Sequence, residues 1–271
     1  MKKVLISGGN SGIGLEAGRQ LVAQGHQVVL IGRDPAKGRA AVEGLGGSAK
    51  AEFLTADLAT HAGVRAAADQ VLSKHPRLDA LLLGAGVLTL KDSRTADDLN
   101  PVFAVNYLSR YHLAQRLLPA VRGTPAGKVV LLVAGVPLDT AIDFSVFPKF
   151  RPFPGMRSLS SVQIANYHYI AHLARAEKDL AAAVVNVGLV KTGIMRDMPL
   201  AMRVAFAVLG PVMTIPVECA AANPVHLCTT DGWPSGSYWA KPGQSGQITP
   251  LRLDAGVTDK VIAVSRELTG A

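Results

Sequence analysis

Ser7-Gly8-Gly9-Asn10-Ser11-Gly12-Ile13-Gly14 is the stretch of sequence that decides the fold. It follows a short apolar run and leads into a helical pattern that ends before Gly25. Its glycines allow a tight turn, close approach of the backbone to a pyrophosphate, and close packing of the helix on a sheet. The stretch therefore predicts a dinucleotide-binding turn. The residues expected to contact the cofactor here are Gly8, Asn10, Ser11, Gly12, Ile13 and Gly14.

Outward from this turn, apolar runs and helical patterns alternate along the chain, and each run is nearly continuous in apolar residues. Such runs are typical of strands covered on both faces. The predicted strands are Lys3–Ile6, Gln27–Ile31, Glu52–Thr55, Ala80–Leu83, Lys128–Val133 and Ala183–Val187. The predicted helices are Gly14–Gln24, one beginning at Pro35, Thr60–Lys74, Thr95–Leu118 and Ser158–Lys178. We predict a doubly wound, Rossmann-type α/β fold, with a parallel sheet and helices on both faces, as a single domain over residues 1–271.

Composition and residue spacing argue against nucleic-acid binding, metal binding and secretion. The chain of 271 residues has a formal net charge of +8, but its Lys and Arg residues are scattered and not interleaved with aromatic residues, so no nucleic-acid partner is expected. No metal site is expected either, because His168 and His172 have no third ligand nearby in sequence. Because a strand pattern starts at Lys3, no signal peptide is expected, and the expected location is cytoplasmic.

Two long apolar stretches interrupt the alternation. Residues 137–157 carry four phenylalanines, and residues 195–215 carry Met195, Met198 and Met202. Both follow predicted strands, at the edge where open α/β sheets bind ligands. Prolines and a glycine interrupt 195–215, which makes it a poor membrane span and predicts an apolar lid. Ordinary core packing and a pocket for a hydrophobic substrate both explain these stretches, and both stay open here.

The end of the second strand indicates which dinucleotide binds. Its last residues are Ile31-Gly32-Arg33-Asp34. An acidic residue at this strand end would hold the 2′-hydroxyl of NAD, whereas arginine suits the 2′-phosphate of NADP. Asp34 comes one position too late and is better placed to cap the next helix. Arg33 therefore predicts NADPH as the cofactor.

The chain resembles the short-chain dehydrogenase/reductase family over most of its length. The resemblance rests on the glycine turn, on Asp57-Leu58, on Asp79 to Gly86, on Val105-Asn106, on Ala165-Asn166 as in retinol-dehydrogenase-like members, and on Gly188 to Thr192. It implies an oxidoreductase acting on a ketone or alcohol. It also adds to the expected cofactor residues Asp57, Leu58, Ala85, Gly86, Asn106 and Thr192. Relatives are often dimers or tetramers, so a homo-oligomer is one expectation for the oligomeric state.

The catalytic residues implied by the resemblance are largely absent. Family members use Asn, Ser, Tyr and Lys, with the tyrosine as proton donor and the lysine lowering its pKa. Alignment of the motifs puts Ala134, Leu159 and Gln163 at the serine, tyrosine and lysine positions, and no Tyr-x-x-x-Lys occurs in the chain. Only Asn106 is retained.

Two functions follow from this pattern. The first is an NADPH-dependent ketoreductase of atypical mechanism, acting on a bulky apolar aromatic polyketide whose own hydroxyl, or a water, supplies the proton. This resembles angucyclinone ketoreductases of simocyclinone-type antibiotic biosynthesis. The expected substrate contacts are Ala134, Val136, Leu159, Met195, Met198 and Met202. The alternative is a catalytically inactive NADPH-binding protein that regulates or scaffolds a partner.

Overall fold

Within the described residues, the sheet has eight strands in the order β3-β2-β1-β4-β5-β6-β7-β8. The computed structural model describes residues 1–124, 126–151, 156–190, 214–241 and 248–271. Seven strands run parallel, and β8 alone pairs antiparallel, with β7. The strands are β1 (Lys3–Ser7), β2 (Gln27–Gly32), β3 (Ala51–Thr55), β4 (Ala80–Leu83), β5 (Gly127–Val133), β6 (Leu180–Asn186), β7 (Ser237–Trp239) and β8 (Ile248–Pro250).

Helices cover both faces of this sheet. The described helices are α1 (Gly12–Ala23), α2 (Pro35–Gly44), α3 (His61–Lys74), α4 (Pro101–Phe103), α5 (Ser109–Arg122), α6 (Met156–Ala176), α7 (Val217–Thr229) and α8 (Ala255–Thr269). A π-helical turn, Ala104–Leu108, joins α4 to α5. Helices α1, α2 and α7 share one apolar cluster with one face of the sheet, and α3, α5, α6 and α8 share a second cluster with the other face. The doubly wound α/β prediction is confirmed.

The order of the strands reverses between β1 and β4, and ligands of open α/β sheets bind at such a reversal. The glycine turn after β1 and the segment after β4 therefore meet at the carboxyl edge of the sheet. Gly84 donates its backbone N–H to the carbonyl oxygen of Ser7 at 3.1 Å, and Ala85 donates to the Ser7 hydroxyl at 3.2 Å. These contacts fix the two segments against each other.

The six predicted strands are present, with small differences at their ends. The helix predicted from Thr95 begins instead at Pro101, because the Asn100 side chain accepts the N–H groups of Val102 and Phe103 and so caps the helix there. It continues through Pro119 to Arg122. Strands β7 and β8 are not predicted by the sequence, because three residues each are too few to show a hydrophobic period.

The phenylalanines of the first apolar stretch pack in the core. Phe147 and Phe150 are buried, and their rings lie 5.2 and 5.6 Å from the ring of Phe103. Phe144 is half-buried beneath the ammonium group of Lys260. Core packing therefore accounts for these three side chains, and Phe153 lies outside the described residues. The segment predicted as a lid also lies outside them, apart from Thr214 and Ile215.

Helix α8 lies across α6 and completes the second cluster. The hydroxyl groups of Tyr107 and Ser265 are 2.7 Å apart, and both side chains are buried. His168 on α6 is hydrogen-bonded to Thr258 on α8 at 2.8 Å. The α5–α6 face is thus covered by a later part of the same chain.

Candidate functional site

The glycine turn after β1 has no room for side chains at two positions. Gly8 has a φ of +75°, and a Cβ there would lie 2.9 Å from the Cα of Ala85. A Cβ on Gly14 would lie 2.4 Å from the carbonyl oxygen of Gly8. Gly12 also has a positive φ, +53°. The turn therefore brings bare backbone to the surface at the start of α1, which suits the close approach of a phosphate.

The beginning of α1 is free to accept an anion. Ser11 occupies the N-cap position, yet its side chain makes no capping hydrogen bond, and the first turn has no acidic residue. Unpartnered N–H groups and the helix dipole give this end a partial positive charge. These features fit the pyrophosphate of a dinucleotide.

At the end of β2, Arg33 and Asp34 have separate roles. The Asp34 carboxylate accepts the backbone N–H groups of Ala36 and Lys37, each at 3.0 Å, and so caps α2. The hydrogen bond from Lys37 is the main cause of the lowered pKa of Asp34. Arg33 is exposed, and no salt bridge to it is found among the described residues. Its guanidinium is therefore available for a ligand.

These features line one groove of about 780 Å³, including space open to solvent. Of the predicted cofactor residues, the groove brings together Gly8, Asn10, Ser11, Arg33, Asp57, Leu58, Ala85 and Gly86. Gly12, Ile13 and Gly14 begin the helix beside it, and Thr192 lies outside the described residues. The groove runs from the end of β2 to the segment after β4, which is the path expected of an extended dinucleotide.

Asp57 and Leu58 differ in their exposure. Asp57 is exposed and accepts the N–H of Ala59 at 3.0 Å, so its carboxylate shapes the start of the next segment. Leu58 is 6 % exposed and belongs to the core. Both residues line the groove, but Leu58 does so from the protein interior.

Asn106 lies in the π-helical turn, a feature often found at functional sites. Its side chain accepts the N–H of Val87 at 2.8 Å and donates to the carbonyl oxygen of Val87 at 2.9 Å. Its own carbonyl accepts the side-chain amide of Asn166 at 3.1 Å. Asn106 therefore holds the segment after β4 in place, while Asn166 ties the π-turn to α6.

Ala134 and Gln163 meet at the end of β5. The backbone N–H of Ala134 lies 3.2 Å from Oε1 of Gln163, and Leu159 precedes Gln163 by one turn of α6. Ala134 is exposed, and Leu159 is partly buried. A methyl group, an isobutyl group and a neutral amide occupy these positions. None of the three side chains can exchange a proton near neutral pH.

Tyr167 is the next residue on this face of α6, and it has a structural role that the sequence did not reveal. Its hydroxyl accepts the N–H of Val136 at 3.1 Å and donates to the carbonyl of Val136 at 3.2 Å. The side chain is fully buried, and burial raises its pKa far above the ordinary value of tyrosine. Tyr167 thus anchors the start of the loop after β5. The predicted substrate contact Val136 lies at this anchor, whereas Met195, Met198 and Met202 lie outside the described residues.

Arg110 was also missed by sequence reasoning, because its helix carries further charged residues at Arg116 and Arg122 and the sequence gives no sign that Arg110 is the buried one. Its side chain is buried behind the groove, at the carboxyl ends of β4 and β5. The guanidinium donates to the carbonyl oxygens of Leu132 and Ala85 and to the side-chain oxygen of Asn166. No carboxylate contacts it within the described part of the chain.

Histidine placement bears on the metal prediction. His168 is buried and bonded to Thr258, and His112 is buried without a hydrogen-bond partner among the described residues. No group of three or more His, Cys, Asp or Glu side chains within the described ranges could hold a metal ion. The described helices also include none that is long and apolar enough to cross a membrane.

Comparison with known proteins finds relatives that all belong to the short-chain dehydrogenase family. A model of the short chain dehydrogenase family matches residues 2–146. Retinol dehydrogenase 14 of Mus musculus is 26 % identical over 99 % of this chain and 86 % of its own length. A short-chain dehydrogenase/reductase of Armillaria gallica is 30 % identical over 92 % of this chain and 84 % of its own.

Solved structures share the fold. RhlG of Pseudomonas aeruginosa, in an active-site complex with NADP, has a TM-score of 0.70 at 21 % identity and covers 90 % of this chain and 95 % of its own. The 3-ketoacyl-(acyl-carrier-protein) reductase of Brucella melitensis, complexed with NADH, has a TM-score of 0.69 at 21 % identity. The match covers 90 % of this chain and 97 % of the reductase chain.

Proposed function

The chain belongs to the short-chain dehydrogenase/reductase family, whose members are NAD(P)-dependent oxidoreductases acting on alcohols and ketones. On that premise we propose that it is an NADPH-dependent ketoreductase that lacks a Ser-Tyr-Lys acid/base of its own. Its substrate in this proposal is a bulky, apolar ketone of the aromatic polyketide class, such as an angucyclinone. The observation that carries the proposal is a groove fitted to a dinucleotide in a chain that has Ala134, Leu159 and Gln163, three side chains unable to exchange a proton, at the positions implied for Ser, Tyr and Lys.

The preference for NADPH rests on Arg33. An exposed guanidinium at the end of β2 can bind a 2′-phosphate through charge-assisted hydrogen bonds. Asp34, the nearby carboxylate, also lines the groove, but one of its oxygens is engaged as the cap of α2, where it accepts two backbone N–H groups. Bound NADPH would supply the hydride.

The remaining chemistry of the site is positioning. The Asn106 side chain fixes the backbone of Val87 after β4. After β5, Gln163 fixes the backbone of Ala134, and Tyr167 fixes that of Val136. Fixed geometry of this kind can supply many kcal/mol of rate acceleration by proximity alone. A missing general acid costs about 10²–10⁴ in rate. A substrate hydroxyl next to the carbonyl, or a water, would supply the proton and recover part of that loss.

The apolar character of the substrate is supported by the side chains around the site. Four partly buried apolar residues pack against the second core cluster: Val87 after β4, Val136 and Leu138 after β5, and Leu159 on α6. They offer surface to a large hydrophobic ligand and little to a charged one.

A deuterium-transfer experiment tests the proposal. NADPH labelled with deuterium on the transferring face is incubated with hydroxylated aromatic polyketide ketones, and label on the carbinol carbon is measured by mass spectrometry. We expect transfer to ketones that carry a free adjacent hydroxyl, and strongly slowed transfer after that hydroxyl is methylated. The reductase proposal fails if such ketones bind, none acquires deuterium, and simple alkyl ketones and aldehydes also fail.

Failure of deuterium transfer would favour the second candidate function, a catalytically inactive NADPH-binding regulator or scaffold. The observation that favours it is the same trio of Ala134, Leu159 and Gln163. In that case NADPH binding should persist without turnover.

A further inference from the structure

Arg110 is a buried cation that no carboxylate contacts within the described residues. Its side chain is 4 % exposed, and its three hydrogen bonds go to neutral oxygens, on Leu132 at 2.5 Å, Ala85 at 2.9 Å and Asn166 at 3.4 Å. Its Nε has no partner among the described residues. Burying a charge without a counter-charge destabilises the folded protein. Packing alone therefore does not explain why an arginine occupies this position.

The charge persists at neutral pH. Burial lowers the pKa of Arg110 to about 9, which still leaves the guanidinium protonated at pH 7. Burial is the only resolved influence on this pKa, which agrees with the absence of a carboxylate contact in the described ranges. The carbonyl dipoles stabilise the cation but do not cancel its net charge.

The guanidinium lies directly behind the groove. A Cβ built on Gly86, which lines the groove, would be 3.8 Å from Nη2 of Arg110 and 3.6 Å from Oδ1 of Asn106. The two carbonyls that hold the guanidinium belong to the ends of β4 and β5. The opposite end of the groove, at β2, carries Arg33. A dinucleotide with its 2′-phosphate at Arg33 would direct its nicotinamide toward Gly86 and Arg110.

From this placement, we infer that Arg110 makes the site prefer the reduced nicotinamide over the oxidised one, and so favours reduction of a ketone over oxidation of an alcohol. The inference rests on the proposed function, because it requires NADP(H) in this groove. The oxidised nicotinamide ring carries a positive charge and the reduced ring is neutral. A fixed cation behind the ring therefore raises the free energy of the NADP⁺ complex relative to the NADPH complex, and the low local dielectric preserves this repulsion.

The test compares binding of the two redox forms, with no turnover required. Dissociation constants for NADP⁺ and NADPH are measured by titration calorimetry, for the wild-type protein and for Arg110→Gln and Arg110→Lys. The Gln variant removes the charge and keeps hydrogen-bonding capacity, whereas the Lys variant keeps the charge. Arg116→Gln is the matched control, because Arg116 lies on the same helix and its guanidinium is partly exposed and paired with Asp69.

The wild-type protein should bind NADPH more tightly than NADP⁺. The dissociation constant for NADP⁺ divided by that for NADPH should fall about tenfold in Arg110→Gln. The same quotient should stay within about threefold of the wild-type value in Arg110→Lys and in Arg116→Gln. An unchanged ratio in Arg110→Gln overturns the inference, as does an equal change in the Gln and Lys variants. Should Arg110→Gln not fold, equal affinity of the wild-type protein for the two forms would overturn it. Absence of binding by both forms would instead overturn the proposed function itself.

Discussion

The backbone N–H of Ala134 lies 3.2 Å from the side-chain oxygen of Gln163, which joins the end of β5 to α6. Gln163 is 7 % exposed whereas Ala134 is exposed, so this hydrogen bond holds a buried side chain against the surface end of a strand. The two positions at which the family resemblance implies serine and lysine are therefore in contact, and a neutral amide connects them.

This contact predicts the outcome of restoring a tyrosine. Leu159→Tyr should change the rate of ketone reduction by less than about threefold, because Gln163 cannot lower the pKa of the new phenol and the ring would enter the site. The matched variant is Leu159→Tyr combined with Gln163→Lys, which supplies the missing cation. Steady-state rates across pH 6–9 distinguish the two. An increase of a hundredfold in the single variant would contradict the prediction.

Arg33→Ala should weaken binding of NADPH by about ten- to a hundredfold and leave NADH nearly unchanged. The reason is the loss of the charge-assisted contact with the 2′-phosphate, which contributes about 1.5–3 kcal/mol in total. Calorimetric titration with both cofactors measures the effect. Arg39→Ala is the control, since Arg39 is exposed on the adjacent helix but does not line the groove. Equal losses for NADPH and NADH would rule out this role of Arg33.

Gly14→Ala should abolish detectable NADPH binding and lower the melting temperature. The added Cβ would lie 2.4 Å from the carbonyl oxygen of Gly8, which forces the turn and the start of α1 apart. Gly44→Ala, with nothing within 4 Å of its Cβ, is the control and should bind NADPH normally. Fluorescence titration with NADPH and thermal melting give both readouts. Normal binding by the Gly14 variant would contradict the geometry of the turn.

The stability of the protein should fall in mild acid. Burial lowers the pKa of both His112 and His168 to about 4. In the unfolded chain each titrates near 6.5, so the unfolded state binds more protons between pH 6.5 and pH 4. The stabilisation that depends on neutral histidine is therefore complete above about pH 6.5 and is lost as the pH falls toward 4, by roughly 1–3 kcal/mol for each residue.

Urea unfolding at pH 7.5, 6, 5 and 4.5 measures this dependence. His112→Leu should flatten the curve, because the group that must be neutral is removed. His226→Gln should leave the slope unchanged, since His226 is exposed. A slope in the His112 variant as steep as that of wild type would show that other groups cause the acid sensitivity.

Elements with a clear period or turn signal were predictable from the sequence. The six long strands, the glycine turn and the cap at Asp34 follow from residue type and spacing, because they are local. The interior position of Arg110 depends on the carbonyls of Ala85 and Leu132, which come together only when β4 and β5 pair. The role of Tyr167 depends on Val136, whose backbone its hydroxyl contacts across the fold. Contacts between distant segments decided both cases.

The hydroxyl contact between Tyr107 and Ser265 joins residues 158 positions apart, and it has a consequence for folding kinetics. Closing so long a loop has a large entropy cost, which one contact does not offset until the strands between these residues have paired. The contact is therefore expected to form late in folding. A nascent chain that has emerged only through β6 would expose the face of α6 that α8 later covers. During that interval the partly made protein would depend on chaperones, and its folding efficiency would be limited by the time needed to synthesise α8.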